Sequence, residues 1–167
     1  RVKNFRLKSK AESTKIAAQY PHKFKQIQSN PEKAIIIPCV SSNRRNYLPI
    51  DFIDSDTSIS NLGFGIYKPE NYIFGIISST MHIVWLRAVA GRFGEGFRYS
   101  SVLCYNSFVF PKIDNDQKKI IEQSVFNILN QREKFSEKNL SELYDPLLMP
   151  ESLLKAHQEL DIIVENC

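Results

Sequence analysis

The sequence predicts an α+β fold: a small mixed or antiparallel sheet with two central helices, flanked by a basic N-terminal helix and a C-terminal helical tail. Three observations carry this. β-Branched and alternating segments crowd between residues 34 and 67. Apolar residues at helical spacing take over from 69 to 90 and again after 114. The strands are not separated one by one by helices, which excludes a regular α/β plan. With 167 residues, 43% hydrophobic and 24% charged, the chain can bury a core and is too apolar for disorder.

Residues 4–19 have helix-forming composition and end before Pro21, although their apolar stripe, Phe5, Ile16 and Ala17, is thin enough to need another surface to lie on. A short helical turn is expected at His22–Gln28, with Phe24 and Ile27 inward and Pro31 closing it. Ala34–Ile37, bounded by Pro31 and Pro38, reads as a buried strand. Asn46–Phe52 alternates and reads as a second, and Thr57–Ser60 and Phe64–Tyr67 as two more around Asn61-Leu62-Gly63. Pro69 opens a helix to about Ser78; Ser79-Thr80 caps another, Met81–Ala90, stopped at Gly91. Phe97–Tyr105 returns to strand composition.

Asp114 and Gln117 form a capping-box pattern ahead of Ile121, Val125, Ile128 and Leu129. Leu140–Tyr144 is a short helix stopped by Asp145-Pro146, and Pro150 opens a last one with Leu153, Ala156, Leu160 and Val164 on one face. The expected organisation is a helical lead-in (1–30), a mixed core (31–112) and a C-terminal helical region (113–167).

Charge is unevenly spread. Residues 1–50 carry 11 Lys and Arg against 2 acids, residues 51–110 carry 4 against 5, and residues 111–167 carry 7 against 11. A basic first third suits a polyanion, and equally a solvated helix. No apolar run approaches the ~20 residues of a membrane span, so no membrane partner is expected. Arg1-Val2-Lys3-Asn4 has neither an initiator Met nor an apolar leader, and the chain is read as part of a longer protein. Cys39, Cys104 and Cys167 form no C-x-x-C pair, which points to a reducing compartment, the cytoplasm.

Catalytic patterns are scarce: there is no Walker loop, dinucleotide fingerprint, nucleophile elbow or H-E-x-x-H. His22, His82 and His157 fall in different elements; His82 reads as structural and His157 as a core-edge residue. Asp51, Asp54 and Asp56 cluster without the ligands that complete a metal site, so no metal is expected, and a hydrolase built on them is the remotest reading.

Two stretches stand out. Ser41-Ser42-Asn43-Arg44-Arg45-Asn46-Tyr47 offers hydroxyl, amide and guanidinium donors for phosphates and base edges; it reads equally as a solvated loop. Trp85–Ser100 combines an apolar helix end, Arg87 and Arg92, with a glycine-rich hairpin-like loop, Gly94-Glu95-Gly96, followed by Arg98 and Tyr99. The glycines allow a tight turn or close backbone approach, and a guanidinium at the loop base can enter a groove.

Ser41-Ser42-x-Arg44-Arg45-x-Tyr47-Leu48-Pro49-Ile50, Ser78-x-x-Met81-His82-x-x-Trp85-Leu86-Arg87-x-Val89-x-Gly91-Arg92, Phe97-Arg98-Tyr99-Ser100 and Tyr105-Asn106-x-Phe108-x-x-Pro111 resemble the target-recognition domain of MmeI-like enzymes. These are bacterial type IIG/IIL proteins that join nuclease, adenine-N6 methyltransferase and specificity domain in one chain. Leu140-x-x-Leu143-Tyr144-Asp145-Pro146-x-x-Met149-Pro150 and the helix after it resemble the region that follows that domain.

The resemblance makes residues 31–112 the recognition core. It implies base reading from Gly94, Gly96 and Arg98, with Ser60-Asn61-Leu62 as a further candidate. Two of the first three are glycine, which leaves backbone groups, Glu95 or different bases. Arg98 keeps a bidentate contact to guanine. Asn30-Pro31-Glu32-Lys33 lacks the second Pro and the aromatic of an amino-methyltransferase motif. S-adenosylmethionine, with or without Mg, is therefore implied for the upstream methyltransferase part and not for this chain.

The expected function is DNA target recognition on double-stranded DNA, positioning an adenine for a methyltransferase domain of the same protein. The candidate residues are Ser41, Ser42, Asn43, Arg44, Arg45, Asn61, Arg87, Arg92, Gly94, Glu95, Gly96, Arg98 and Tyr99, with Lys8 and Lys10 on phosphates. A module that only docks neighbouring domains is the other reading.

Overall fold

The computed structural model describes residues 1–23 and 32–167. Most of the turn expected at His22–Gln28, and the boundary at residue 30, lie outside the described residues.

The N-terminal basic segment differs from expectation. It forms two short helices, α1 (Val2–Leu7) and α2 (Glu12–Ile16), with a 3₁₀ turn at Ala17–Gln19, instead of one helix over 4–19. Ser9 Oγ accepts from the Ala11 N–H at 3.2 Å, a local bond that competes with the helical ladder at the break. Folding back brings the Arg6 guanidinium onto the carbonyls of Ala17, Tyr20 and Lys23 at 2.7–3.0 Å.

Two small antiparallel sheets follow. β1 (Lys33–Pro38) lies between β3 (Asp51–Asp54) and β4 (Gly63–Tyr67), with Ala34, Ile35 and Ile37 buried. β2 (Val40–Ser42), β6 (Gly96–Arg98) and β5 (Gly91–Phe93) form the second sheet in that order. Cys39 joins them: its N–H donates to Leu62 O at 2.9 Å and its carbonyl accepts from Tyr99 N–H at 2.8 Å.

Three expected strands are corrected. Asn46–Ile50 is irregular and only Asp51–Asp54 pairs. Pro49 has no N–H to give a ladder, and the Ile50 N–H turns back to Leu48 O at 2.9 Å. Thr57–Ser60 is a loop that drapes Ile59 against Gly63 and Gly65. Phe97–Tyr105 keeps strand form only to Arg98; Ser100 Oγ then accepts from Leu103 N–H, opening a π-type turn at Ser101–Tyr105.

α3 (Asn71–Ser78) and α4 (Thr80–Val89) form the central helical pair. Among the described residues no single helix is long and apolar enough to cross a membrane, and this pair is bent by 61°. α4 and the second sheet share one core, with Ile83, Leu86, Phe97 and Tyr99 packed together.

The C-terminal region is α5 (Asn115–Glu133), α6 (Leu140–Leu143) and α7 (Glu151–Glu165). The capping box at Asp114 and Gln117 is formed in both directions. Leu153, Ala156, Leu160 and Val164 are buried together against Ile121, Ile128 and Tyr47. α3 reaches this second core through Gly75, where any Cβ would collide with Ile121 Cγ2.

Candidate nucleic-acid interface

The loop Ser41–Tyr47 and the hairpin 91–98 are joined into one module. Phe93 pairs with Gly96 across the two-residue turn Gly94-Glu95. Gly94 has φ +58°, the left-handed geometry that suits glycine at the first turn position. Gly96 meets a different demand: a Cβ there would sit 2.6 Å from the Ser41 carbonyl oxygen, so the β2–β6 pairing requires glycine. Both glycines at the expected base-reading positions are thus set by backbone geometry.

Asn43 stitches loop to hairpin. Its Nδ2 donates to the Glu95 carbonyl, its Oδ1 accepts from Arg92 Nη1 at 3.0 Å, and its carbonyl accepts from Arg87 Nη2 at 3.4 Å. Arg87 also donates to Arg45 O at 3.2 Å, anchoring the loop to the end of α4. Arg45 turns away from the hairpin and donates to Ser141 O and Oγ at 3.2 and 2.8 Å, and to Ser41 Oγ at 3.4 Å. Asn43, Arg45, Arg87 and Arg92 therefore hold the module in shape.

Arg44 and Arg98 remain. Among the described residues neither guanidinium has a side-chain or backbone acceptor, and both side chains are exposed. Glu95, in the turn, is exposed. Asn61 is exposed beside Cys39, whose Sγ donates to its carbonyl at 3.5 Å. It thus adjoins the strand end opposite Arg98, since Val40 pairs with Arg98.

Two candidates are corrected. Tyr99 is 2% exposed, packed in the core with its hydroxyl 3.2 Å from His82 Nε2. Alternation along β6 sends Phe97 and Tyr99 inward and Arg98 outward. Ser41 is likewise 2% exposed, on the inner face beside Phe97. Neither side chain is presented at the surface. Lys8 and Lys10 are not joined to the module by any hydrogen bond among the described residues; the bonds that fix their segment come from Arg6.

The two histidines and the tyrosine behind the module are buried and structural. Burial pushes His82 down to about 4 and the Tyr99 phenol upward. His157 is wholly buried, deeper than a core edge, and burial with nearby Arg132 holds it well below its ordinary value. Asp51, from the acidic cluster, faces Arg132 at 3.5 Å, and Asp54 accepts from Thr57 Oγ1 at 2.9 Å within its own turn. Among the described residues no group of three or more His, Cys, Asp or Glu side chains is placed to hold a metal ion.

The buried cation Arg132 was not legible as part of the site, yet it supports it. Its Nη1 donates to Ile50 O at 2.9 Å and its Nε to Tyr144 OH at 2.8 Å. Tyr47 OH donates to Asp161 Oδ2 at 2.8 Å while Asp161 Oδ1 accepts from Thr80 N–H at 2.8 Å. These bonds pin the end of the Ser41–Tyr47 loop to the C-terminal helices. Arg132 continues the Ile121, Val125, Ile128 face at helical spacing, the signal that could have found it.

A family model described as MmeI, target recognition domain, matches residues 1–112. The chain belongs to the MmeI target recognition domain family. A second family model, MmeI, C-terminal domain, matches residues 113–167. The MmeI-family resemblance seen in the motifs is thereby shown. The chain is 42% identical over 164 residues to DNA methyltransferase A of Bacillus subtilis (strain 168), covering 98% of this chain and 18% of that protein. It is similar, with TM-score 0.91 and 42% identity over 99% of its length, to the type IIL restriction–modification enzyme MmeI solved in complex with DNA. It covers 22% of that chain. The chain thus spans about a fifth of the length of the relatives it matches. The α+β architecture with a C-terminal helical region is the architecture of that MmeI structure.

Proposed function

We propose that this chain recognises a DNA target sequence within a cytoplasmic restriction–modification DNA methyltransferase. Arg98 lies at the base edges of the major groove and Arg44 on a phosphate. The target adenine is positioned for a methyltransferase domain elsewhere in the protein, which binds S-adenosylmethionine and flips the base from the stack. Any DNA cleavage, with its Mg, likewise belongs outside these residues.

The observation that carries this reading is the loop–hairpin union. Asn43, Arg87 and Arg92 are consumed in bracing it, while Arg44 and Arg98 are left without internal acceptors. A rigid β-ribbon of this width fits a groove about 12 Å across.

Binding of cognate and scrambled duplexes by native protein, Arg98→Ala and Arg44→Ala tests it. Arg98→Ala relaxes specificity at one base pair by about 1–3 kcal/mol. Arg44→Ala weakens both duplexes alike and lowers the salt slope by about 1. Equal losses for both variants on both duplexes would refute this division of roles. No binding to any duplex at low salt would leave the chain as a docking module for neighbouring domains.

A further inference from the structure

The register of the second sheet sorts its side chains into two faces. Ser41, Phe97 and Arg92 form one cross-strand row, with Ser41 and Phe97 buried and Arg92 exposed at the sheet edge. On the outer face Val40, Arg98 and Gly91 form one row, and Ser42, Gly96 and Phe93 the next. Phe93 is 60% exposed and Val40 41%. Glycine at 96 leaves the Phe93 ring without a cross-strand side chain to cover it, and glycine at 91 leaves Arg98 with Val40 as its one cross-strand side-chain neighbour. An aromatic ring therefore stands bare beside an unpaired guanidinium, immediately before the turn.

The surroundings select its occupant. Residues 38–50 and 86–100 hold Arg44, Arg45, Arg87, Arg92 and Arg98 against the single acid Glu95. The net positive charge of the segments that carry this exposed aromatic, with the Arg98 guanidinium on the same face, complements a polyanion that offers an apolar group. In the major groove that group is the C5-methyl of a pyrimidine.

We infer that Phe93 reads a pyrimidine methyl group, extending the target-recognition reading above, on which the inference rests. As diagonal neighbours across β5 and β6, Phe93 and Arg98 stand about 7–8 Å apart. At a rise of about 3.4 Å per base pair, the methyl lies within about three base pairs of the pair met by Arg98. Val40 and the Ser42 hydroxyl flank the same surface.

The test uses the full-length protein carrying this chain and the duplex it selects from a random pool. In one series each thymine is replaced in turn by deoxyuridine, in the other each cytosine by 5-methylcytosine. Every base pair contains one pyrimidine, so the two series sample every position. Native protein shows one methyl-sensitive position within about three base pairs of the one relaxed by Arg98→Ala. There, loss of a thymine methyl weakens binding about fourfold, or gain of a cytosine methyl strengthens it about fourfold, as expected for one buried methyl. The effect vanishes in Phe93→Ala and survives in part in Phe93→Leu. Phe93 is exposed, so neither variant disturbs the core.

Selection of a definite sequence with no Phe93-dependent methyl effect overturns this inference and leaves target recognition standing. Loss of binding in Phe93→Ala at every sequence without methyl sensitivity, as for a wedge between base steps, also overturns it. Selection of no sequence at all overturns both.

Discussion

Arg132→Met removes the buried cation that ties the C-terminal helices to the Tyr47–Asp51 segment. Arg132 is 7% exposed and donates to Ile50 O at 2.9 Å and, through Nε and Nη2, to Tyr144 OH. Methionine keeps much of the stem volume, so the loss is polar. The Ile50 carbonyl is stranded at about 1–3 kcal/mol, and charge-assisted bonds of about 1.5–3 kcal/mol each disappear. Tyr144 retains His157 Nε2 at 2.8 Å. The Asp51 side chain is 43% exposed, so its half of the ion pair is screened and counts for little.

These considerations place the destabilisation near the lower end of the range for breaking a buried pair, about 3 kcal/mol. Urea unfolding followed through Trp85, the single tryptophan of the chain, reads it directly. At a slope of about 2 kcal/mol/M the midpoint falls by about 1.5 M with the slope unchanged. Tyr144→Phe in the Arg132→Met background adds less than it does alone, because both changes break the same bond. A midpoint shift below about 0.5 M, or strict additivity with Tyr144→Phe, would refute the assignment of Arg132 as the tie.

Two further outcomes follow from the same geometry. His82 titrates at 6.5 when unfolded and about 4 when folded, so the unfolded chain binds more protons between those values. Its contribution is fully present above 6.5 and is lost as pH falls toward 4; about 2 kcal/mol is gone at pH 5. His157, also depressed, acts in the same direction, and flat stability between pH 7.5 and 5 in urea titrations would contradict the burial of both as neutral rings. In the hairpin, Gly91 has open space where a Cβ would go while Gly96 has the Ser41 carbonyl. Gly91→Ala changes stability by no more than about 0.5 kcal/mol, whereas Gly96→Ala costs about 1–3 kcal/mol and loosens duplex binding with it; thermal melts and duplex titrations of the pair measure both.

Much of the fold was legible where local chemistry and tertiary packing agree. The Asp114–Gln117 capping box, the buried face of α7, the β1 strand between its prolines and the glycine-turned hairpin all read correctly because each is specified within a few residues. The failures share a cause. Asn46–Ile50 alternates like a strand, but Tyr47 is claimed by Asp161, 114 residues away. The basic first helix breaks because Arg6 finds carbonyls 11 to 17 residues on. Tyr99 looks like a duplex contact by its place beside Arg98, and only the inward alternation of the strand shows that it is core. For the interface, the sequence identified the two segments but not the sharing of work between them. Which arginines are free depends on Asn43, Ser141 and the backbone of the loop.

That sharing bears on how a recognition surface of this kind can vary. The family boundary at residue 112 divides the sequence, while the bonds that shape the surface cross it. Arg45 reaches Ser141, Ile50 takes Arg132, and Tyr47 takes Asp161, which in turn caps the Thr80 N–H at the start of α4. Gly75 of α3 packs against Ile121, Val125 and Leu160 from beyond the boundary. A recognition segment joined to a C-terminal region that covers it but lacks Asp161 and Arg132 would leave the Tyr47 hydroxyl and the Ile50 carbonyl buried and unpaired, each a cost of about 1–3 kcal/mol. The outer face is under no such constraint. Val40, Phe93, Glu95 and Arg98 make no side-chain hydrogen bond among the described residues and are open to solvent, so they can change without disturbing the frame. Rigidity concentrated on the inner side and freedom on the outer side are what a surface needs if its target is to change while its shape is kept.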